Sequence, residues 1–201
     1  MNRGERVADS FAQLVDFFYL PVEYPGQQRF LCYTSDEAYA ERLVCALARE
    51  LAKRVPSAQM GVHSLCNLDW TSREALVASL SKAMEEAAPA LAARIPRRAN
   101  GTTRFLAEQR LRLLMDPPDD VPEHVQTFVI SVPGSALRED MKQCFLQLRA
   151  LMSSSDHNWI VVGPLAITQY GERSAETSPF HTLFEPYAVR FSLAELPDVP
   201  R

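Results

Sequence analysis

Tyr33-Thr34-Ser35-Asp36-Glu37 stand where a short apolar run, Arg29–Thr34, gives way to a helical pattern over Asp36–Leu51. A strand that runs straight into a helix is a setting in which backbone N–H groups and a helix N-terminus can cradle phosphate. That chemistry needs glycines for close backbone approach, a lysine for the β- and γ-phosphates, and a Ser or Thr hydroxyl for magnesium. The stretch Tyr33–Ala40 contains no glycine and no lysine. Asp36 and Glu37 instead put carboxylates at the helix N-terminus, where they take the anion-favouring position themselves and repel phosphate. A later apolar run, Thr127–Val132, ends in Ser131-Val132-Pro133, where a metal-holding carboxylate would be needed. Arg138, Glu139 and Asp140 come only downstream, where the next helix begins. The framework of a nucleotide site is present, and the residues that would handle phosphate are not.

Other candidate groups are weaker. Arg94, Arg97, Arg98, Arg104, Arg110 and Arg112 form a basic stretch with only Glu108 opposing it. It reads as a solvated turn and outer helix face, paired with the acidic loop Asp116–Glu123; the functional alternative is contact with phosphate or an acidic partner, with Arg94, Arg97, Arg98 and Arg104 as the contact surface. No aromatic residues interleave it for base stacking. His63, His124, His157 and His181 are scattered, with no Ser, Cys or carboxylate at motif spacing, and read as surface or satisfied core histidines. Ser131 and Ser135 flank Val132-Pro133-Gly134, which is not GxSxG.

The elements that must position these groups follow from periodicity and turn signals. Val7, Phe11, Leu14, Val15, Phe17 and Phe18 predict a helix over 7–20 that ends before Pro21 and packs on the domain. Arg29–Thr34 reads as a buried strand, and Ser35 or Thr34 as the cap of a helix with Ala40, Leu43, Val44, Leu47, Ala48 and Leu51 on one face. Met60–Leu65 predicts a second strand. Thr71 or Ser72 caps a long helix to about Leu91, which Pro89 should end or kink. Thr102 or Thr103 starts another helix. Thr127–Val132, Trp159–Val162 and Val189–Leu193 read as strands, with an amphipathic helix over Leu137–Met152. Strands separated by helices imply parallel pairing, so the expected fold is α/β, a mainly parallel sheet of about five strands flanked by helices.

Composition bounds the reading. A chain of 201 residues, 47% hydrophobic and 23% charged, fits one soluble α/β domain over 1–201, with an N-terminal helix and connection over 1–28, a core over 29–193 and a tail over 194–201. Seven glycines against fourteen prolines argue against several glycine-built ligand loops. A net charge of −4 gives no global attraction to nucleic acid or anionic membrane. Cys32, Cys45, Cys66 and Cys144 show no CxxC spacing. Cys45 and Cys144 read as small buried hydrophobes in a reducing compartment, with no zinc site and no spacing that argues for a disulfide. No stretch approaches the ~20 apolar residues of a membrane span and no signal pattern opens the chain, so a cytoplasmic, bacterial-type protein is expected.

Over 29–193 the order of elements resembles the P-loop ATPase core of the AAA+/STAND class. The resemblance rests on TFVIS before the helix carrying Phe145–Leu151, on Trp159-Ile-Val-Val-Gly163 as a sensor-like strand, and on Ser178-Pro179-Phe180-His181-Thr182-Leu183-Phe184 before Ala188–Leu193. Tyr33–Glu37 then takes the phosphate-loop position and Ser131-Val132-Pro133 the Walker-B position, both degenerate. The resemblance implies an inactive STAND-like domain, a pseudo-ATPase with no cofactor, serving as a protein-interaction or regulatory module. Two alternatives stay open. The stretch opening at Phe30 (FLCYTSDEAYAERL) is also similar to the start of TIR domains, which would offer Glu85 or Glu86 for NAD cleavage, or an atypical nucleotide site. A nucleic-acid-binding accessory protein using the arginine stretch is the other.

Overall fold

The computed structural model describes residues 6–7, 10–23, 29–34, 37–55, 61–95, 103–117, 125–133, 142–155, 157–164 and 188–192. In chain order they form β1 (Arg6–Val7), α1 (Phe11–Glu23), β2 (Arg29–Thr34), α2 (Glu37–Arg54), β3 (Val62–Leu65), α3 (Arg73–Ala87), α4 (Pro89–Arg94), α5 (Thr103–Met115), β4 (Thr127–Ser131), α6 (Lys142–Ser153), β5 (Asn158–Pro164) and β6 (Ala188–Ser192). The strands build one sheet in the order β1-β6-β2-β5-β4-β3. Every pairing is parallel.

The sheet is therefore parallel and flanked by helices, as expected, and among the described residues it has six strands where about five were expected. Five match the runs read from sequence. The sixth, β1, has two residues, paired as Arg6↔Phe191 and Val7↔Ser192. It takes Val7 out of the expected helix, which starts at Phe11 and continues through Pro21 to Glu23. Pro21 sits in the last three residues of α1, where its missing amide removes one hydrogen bond without interrupting the helix.

Side-chain alternation divides the core into two layers. Val129, Ile160 and Val162 face Leu14, Val15 and Phe18 of α1 and Leu43, Val44, Leu47 and Leu51 of α2. Phe128, Ile130, Trp159 and Val161 face the opposite way, onto α3, α4, α5 and α6. Both faces of β4 and β5 are apolar, as a doubly covered parallel sheet requires. Trp159 is fully buried, its ring 5.1 Å from that of Phe128. Asp16 of α1 and Arg54 of α2 form an ion pair across the first layer; solvent exposure of both limits its contribution.

The predicted long helix is two helices. The Ser72 hydroxyl accepts from the Ala75 N–H at 3.1 Å, and the helix so capped ends at Ala87. Ala88 separates it from Pro89, which opens α4 at a position that tolerates a missing donor. α2 runs three residues past Leu51 to Arg54, and Pro56 follows in sequence. Residues 134–141 and 165–187 lie outside the described residues, so Ser135, Leu137, Met141 and the Ser178–Phe184 segment are not placed. Among the described residues no helix is long and apolar enough to cross a membrane.

Candidate functional site

In an all-parallel sheet the carboxyl ends of all strands lie along one edge, and the order of connections decides where that edge opens. From β2 the chain crosses by α2 to β3, at the far side of the sheet; β4 and β5 then step back toward β2, and β6 lands on the other side of it. The connections leaving β2 and β5 thus depart in opposite directions. Their carboxyl ends flank a switch point, the place where open α/β sheets form a ligand crevice.

The pairing register fixes what meets there. Tyr33 pairs with Gly163 and Thr34 with Pro164. On the other side of β5, Ser131 pairs with Val162, and the Val132 N–H donates to the Val162 carbonyl at 2.8 Å. Cys32 also pairs with Val162, so Ser131 lies two strands from β2, about 9–10 Å away at ordinary strand spacing. The register therefore brings Tyr33 and Thr34, at the end of β2, and Ser131, at the end of β4, to the same carboxyl edge of the sheet, two strands apart. Ser35 and Asp36 fall outside the described residues, and the backbone becomes helical at Glu37.

The chemistry available on the β4 side is sparse. Val132 is buried in the core layer beneath α3–α6, and Ser131 and Pro133 are half-buried. A valine committed to the core and a proline without an amide give no metal ligand and no group to orient water. Among the described residues no cluster of three or more His, Cys, Asp or Glu could hold a metal. The loop after β3 carries Asp69, whose carboxylate accepts from the Thr71 hydroxyl (2.6 Å) and amide (2.9 Å). These bonds lower its pKa from the ordinary value. It serves as a turn-former through Oδ1, which takes both bonds.

The arginine stretch divides on inspection. Arg110 is largely buried: its guanidinium reaches Glu85 at 2.5 Å and the carbonyls of Ile95 and Ala92 at 2.6 Å each. It closes the C-terminus of α4 and ties it to α3 and α5, a structural use of all three directions of the fork. Arg112 pairs with Glu108 at 3.0 Å on its own helix. The partners described for these two arginines are thus on helices, while most of the acidic loop the sequence pointed to, residues 118–123, lies outside the described residues. Arg94 is exposed at the end of α4, Arg104 lies in the first turn of α5, and Arg97 and Arg98 are outside the described residues. Glu85 is held by Arg110, and Glu86 is exposed beside Lys82 at 3.8 Å. The described chain between α3 and β4 is helical, with none of the buried strand a TIR arrangement needs there.

Sequence reasoning missed the polar cluster at the opposite, amino edge. His157 is buried, with Nδ1 accepting from the Gln126 N–H at 3.3 Å and Nε2 donating to the Leu114 carbonyl at 2.7 Å. The two partners fix a neutral ring with its proton on Nε2. Ser155 Oγ accepts from the His157 N–H (3.2 Å) and from Trp159 Nε1 (3.1 Å). Gln126 Oε1 meets His63 Nε2 at 2.8 Å. A Cβ at Gly61 would collide with both of those atoms, which is why the residue there is glycine. His157 is thus a satisfied core histidine, and His63 a half-buried one at the sheet edge. His124 and His181 lie outside the described residues.

Cys144 is buried as expected, but Cys45 is exposed. Its neighbours one turn away, Glu41 and Arg49, are exposed too, so Cys45 belongs to the polar stripe of α2. That was the signal available in the sequence.

No family model matches the chain, and no curated protein matches it. Among solved structures, a chain in the structure of Drosophila ORC bound to GC-rich DNA and Cdc6 is similar, with a TM-score of 0.51 and 17% identity. The match covers 92% of this chain and 28% of that one, so this chain spans just over a quarter of its length. At this identity the likeness extends to the fold, a parallel α/β sheet flanked by helices, and to nothing further.

Proposed function

We propose that this protein is a non-catalytic interaction or regulatory module built on a degenerate AAA+/STAND-like core. The observation that supports the reading is the strand order, which puts a switch point at β2 and β5. Thr34 ends β2 and Ser131 ends β4 on the same edge of the sheet, and the residue types of Tyr33–Glu37 and Ser131–Pro133 suit neither phosphate nor magnesium. The loop position lacks glycine and lysine, carboxylates sit at Asp36 and Glu37, and β4 ends in serine, valine and proline. The crevice then serves as a fixed scaffold end, and the work is done by contact with another protein. The step to a regulatory role rests on fold analogy.

The similar ORC chain comes from an assembly with GC-rich DNA. For this chain a nucleic-acid role would fall to Arg94, Arg97, Arg98 and Arg104, since Arg110 and Arg112 are engaged within the fold. Hydrolysis assays with MgATP and MgGTP, run beside DNA binding at rising salt, test the proposal. It predicts phosphate release equal to that of buffer and no saturable DNA binding. Release that disappears when Ser131–Pro133 are replaced would overturn it. So would binding that falls steeply with salt and weakens in Arg97→Ala/Arg98→Ala.

A further inference from the structure

Two thiols from different elements meet outside the crevice. Cys45 Sγ, on the exposed stripe of α2, lies 3.3 Å from Cys66 Sγ, on the residue that follows β3. Cys45 is exposed and Cys66 half-buried; both are free thiols. We propose that Cys45 and Cys66 form a redox modification site, which accepts a small-molecule disulfide and closes to an intramolecular disulfide fastening α2 to the end of β3.

The roles of the two sulfurs follow from their surroundings. Cys45 is open to solvent and is the one a dissolved disulfide can reach. Burial, then the contact with Cys45 and the charge of Glu41, pushes the Cys66 thiol up to about 12, with the Ser64 hydroxyl working the other way. Cys66 is therefore held as a protonated thiol and acts second. The Cys45 thiolate attacks one sulfur of RSSR; that S–S bond breaks and RS⁻ leaves, taking a proton from solvent. Cys66 then gives up its proton and attacks the Cys45 sulfur of the mixed disulfide, expelling the second RS⁻, which is protonated in turn. Two protein thiols are oxidised to one disulfide while RSSR is reduced to two RSH. Cys144, buried with its thiol directed at the Trp70 carbonyl at 3.9 Å, takes no part.

Closure would act on a defined part of the fold. Among the described strands β3 is an edge that pairs with β4 alone, and α2 packs beside it. A bond across a sequence separation of 21 residues constrains the unfolded chain and pins this edge.

The test treats the full chain with oxidised glutathione, then maps peptides by mass spectrometry and follows thermal unfolding. The expected result is a peptide pair linked through Cys45 and Cys66, with a Tm raised by about 5–10 °C. Dithiothreitol should reverse both, and Cys45→Ser and Cys66→Ala should show neither while melting like the reduced wild type. A glutathione adduct that stays on Cys45 without closing, linkage to Cys32 or Cys144, or an unlinked pair would overturn it.

Discussion

The two edges of the sheet are built on opposite principles. At the amino ends of β3, β4 and β5, His157, Gln126, Ser155, Trp159 and His63 bond to one another and to the backbone, around a glycine that leaves them room. At the carboxyl ends, the strand order puts a switch point at β2 and β5. There Val132 turns into the core and Pro133 offers no donor. Among the described residues the connected polar network lies at the amino edge. Substitutions at the amino edge should therefore cost stability, while replacing the polar Ser131 at the carboxyl edge should be close to neutral.

The largest effect is expected at Trp159. Trp159→Ala removes a fully buried ring packed on Phe128 and one of the two donors to Ser155 Oγ, and should cost about 3–5 kcal/mol in chemical denaturation. His157→Phe keeps the volume but leaves the Leu114 carbonyl and the Gln126 amide without their partner; about 2–3 kcal/mol is expected. If His157→Phe were neutral, the contrast between the edges would fail.

Arg110→Ala should cost about 2 kcal/mol, because Glu85 and two helix-end carbonyls lose their donor, whereas Arg94→Ala should be silent. Equal effects would show the arginine stretch to be one surface after all. Gly61→Ala should cost about 1 kcal/mol by parting Gln126 from His63, and His63→Ala should recover most of the strain in the double variant. At the crevice, Ser131→Ala should stay within about 0.5 kcal/mol of wild type.

The smallest effect concerns acid. The Thr71 bonds lower the Asp69 pKa in the folded state, so their stabilisation is present above the unfolded carboxylate pKa of about 3.9 and is lost as pH falls through the folded value. Asp69→Asn should flatten the stability curve below about pH 4. An unchanged acid limb would mean that the Asp69 turn carries no stability.

What the sequence made legible follows the range of the interactions involved. The α2 stripe from Ala40 to Leu51 is a local 3.6-residue pattern, and all six of its residues are buried as read. The junctions at Thr34 and Ser131 were visible because strands and helices announce their own boundaries. β1 was not visible: two residues acquire strand geometry only by pairing with Phe191 and Ser192, far along the chain. His157 gave no signal because its partners are backbone groups 31 and 43 residues away, which no motif spacing encodes. Cys45 was misread because an apolar-looking residue on an amphipathic helix takes its exposure from its stripe, and Glu41 and Arg49 set that stripe.

The most direct measurement is calorimetric titration of the protein with ATP, GTP and NAD, each with and without magnesium. The account predicts no saturable heat with any of them, since Tyr33–Ala40 holds no glycine or lysine and Ser131-Val132-Pro133 no carboxylate. Saturable one-site binding, weakened by replacing Thr34 or Ser131, would contradict it and make the crevice a working nucleotide site.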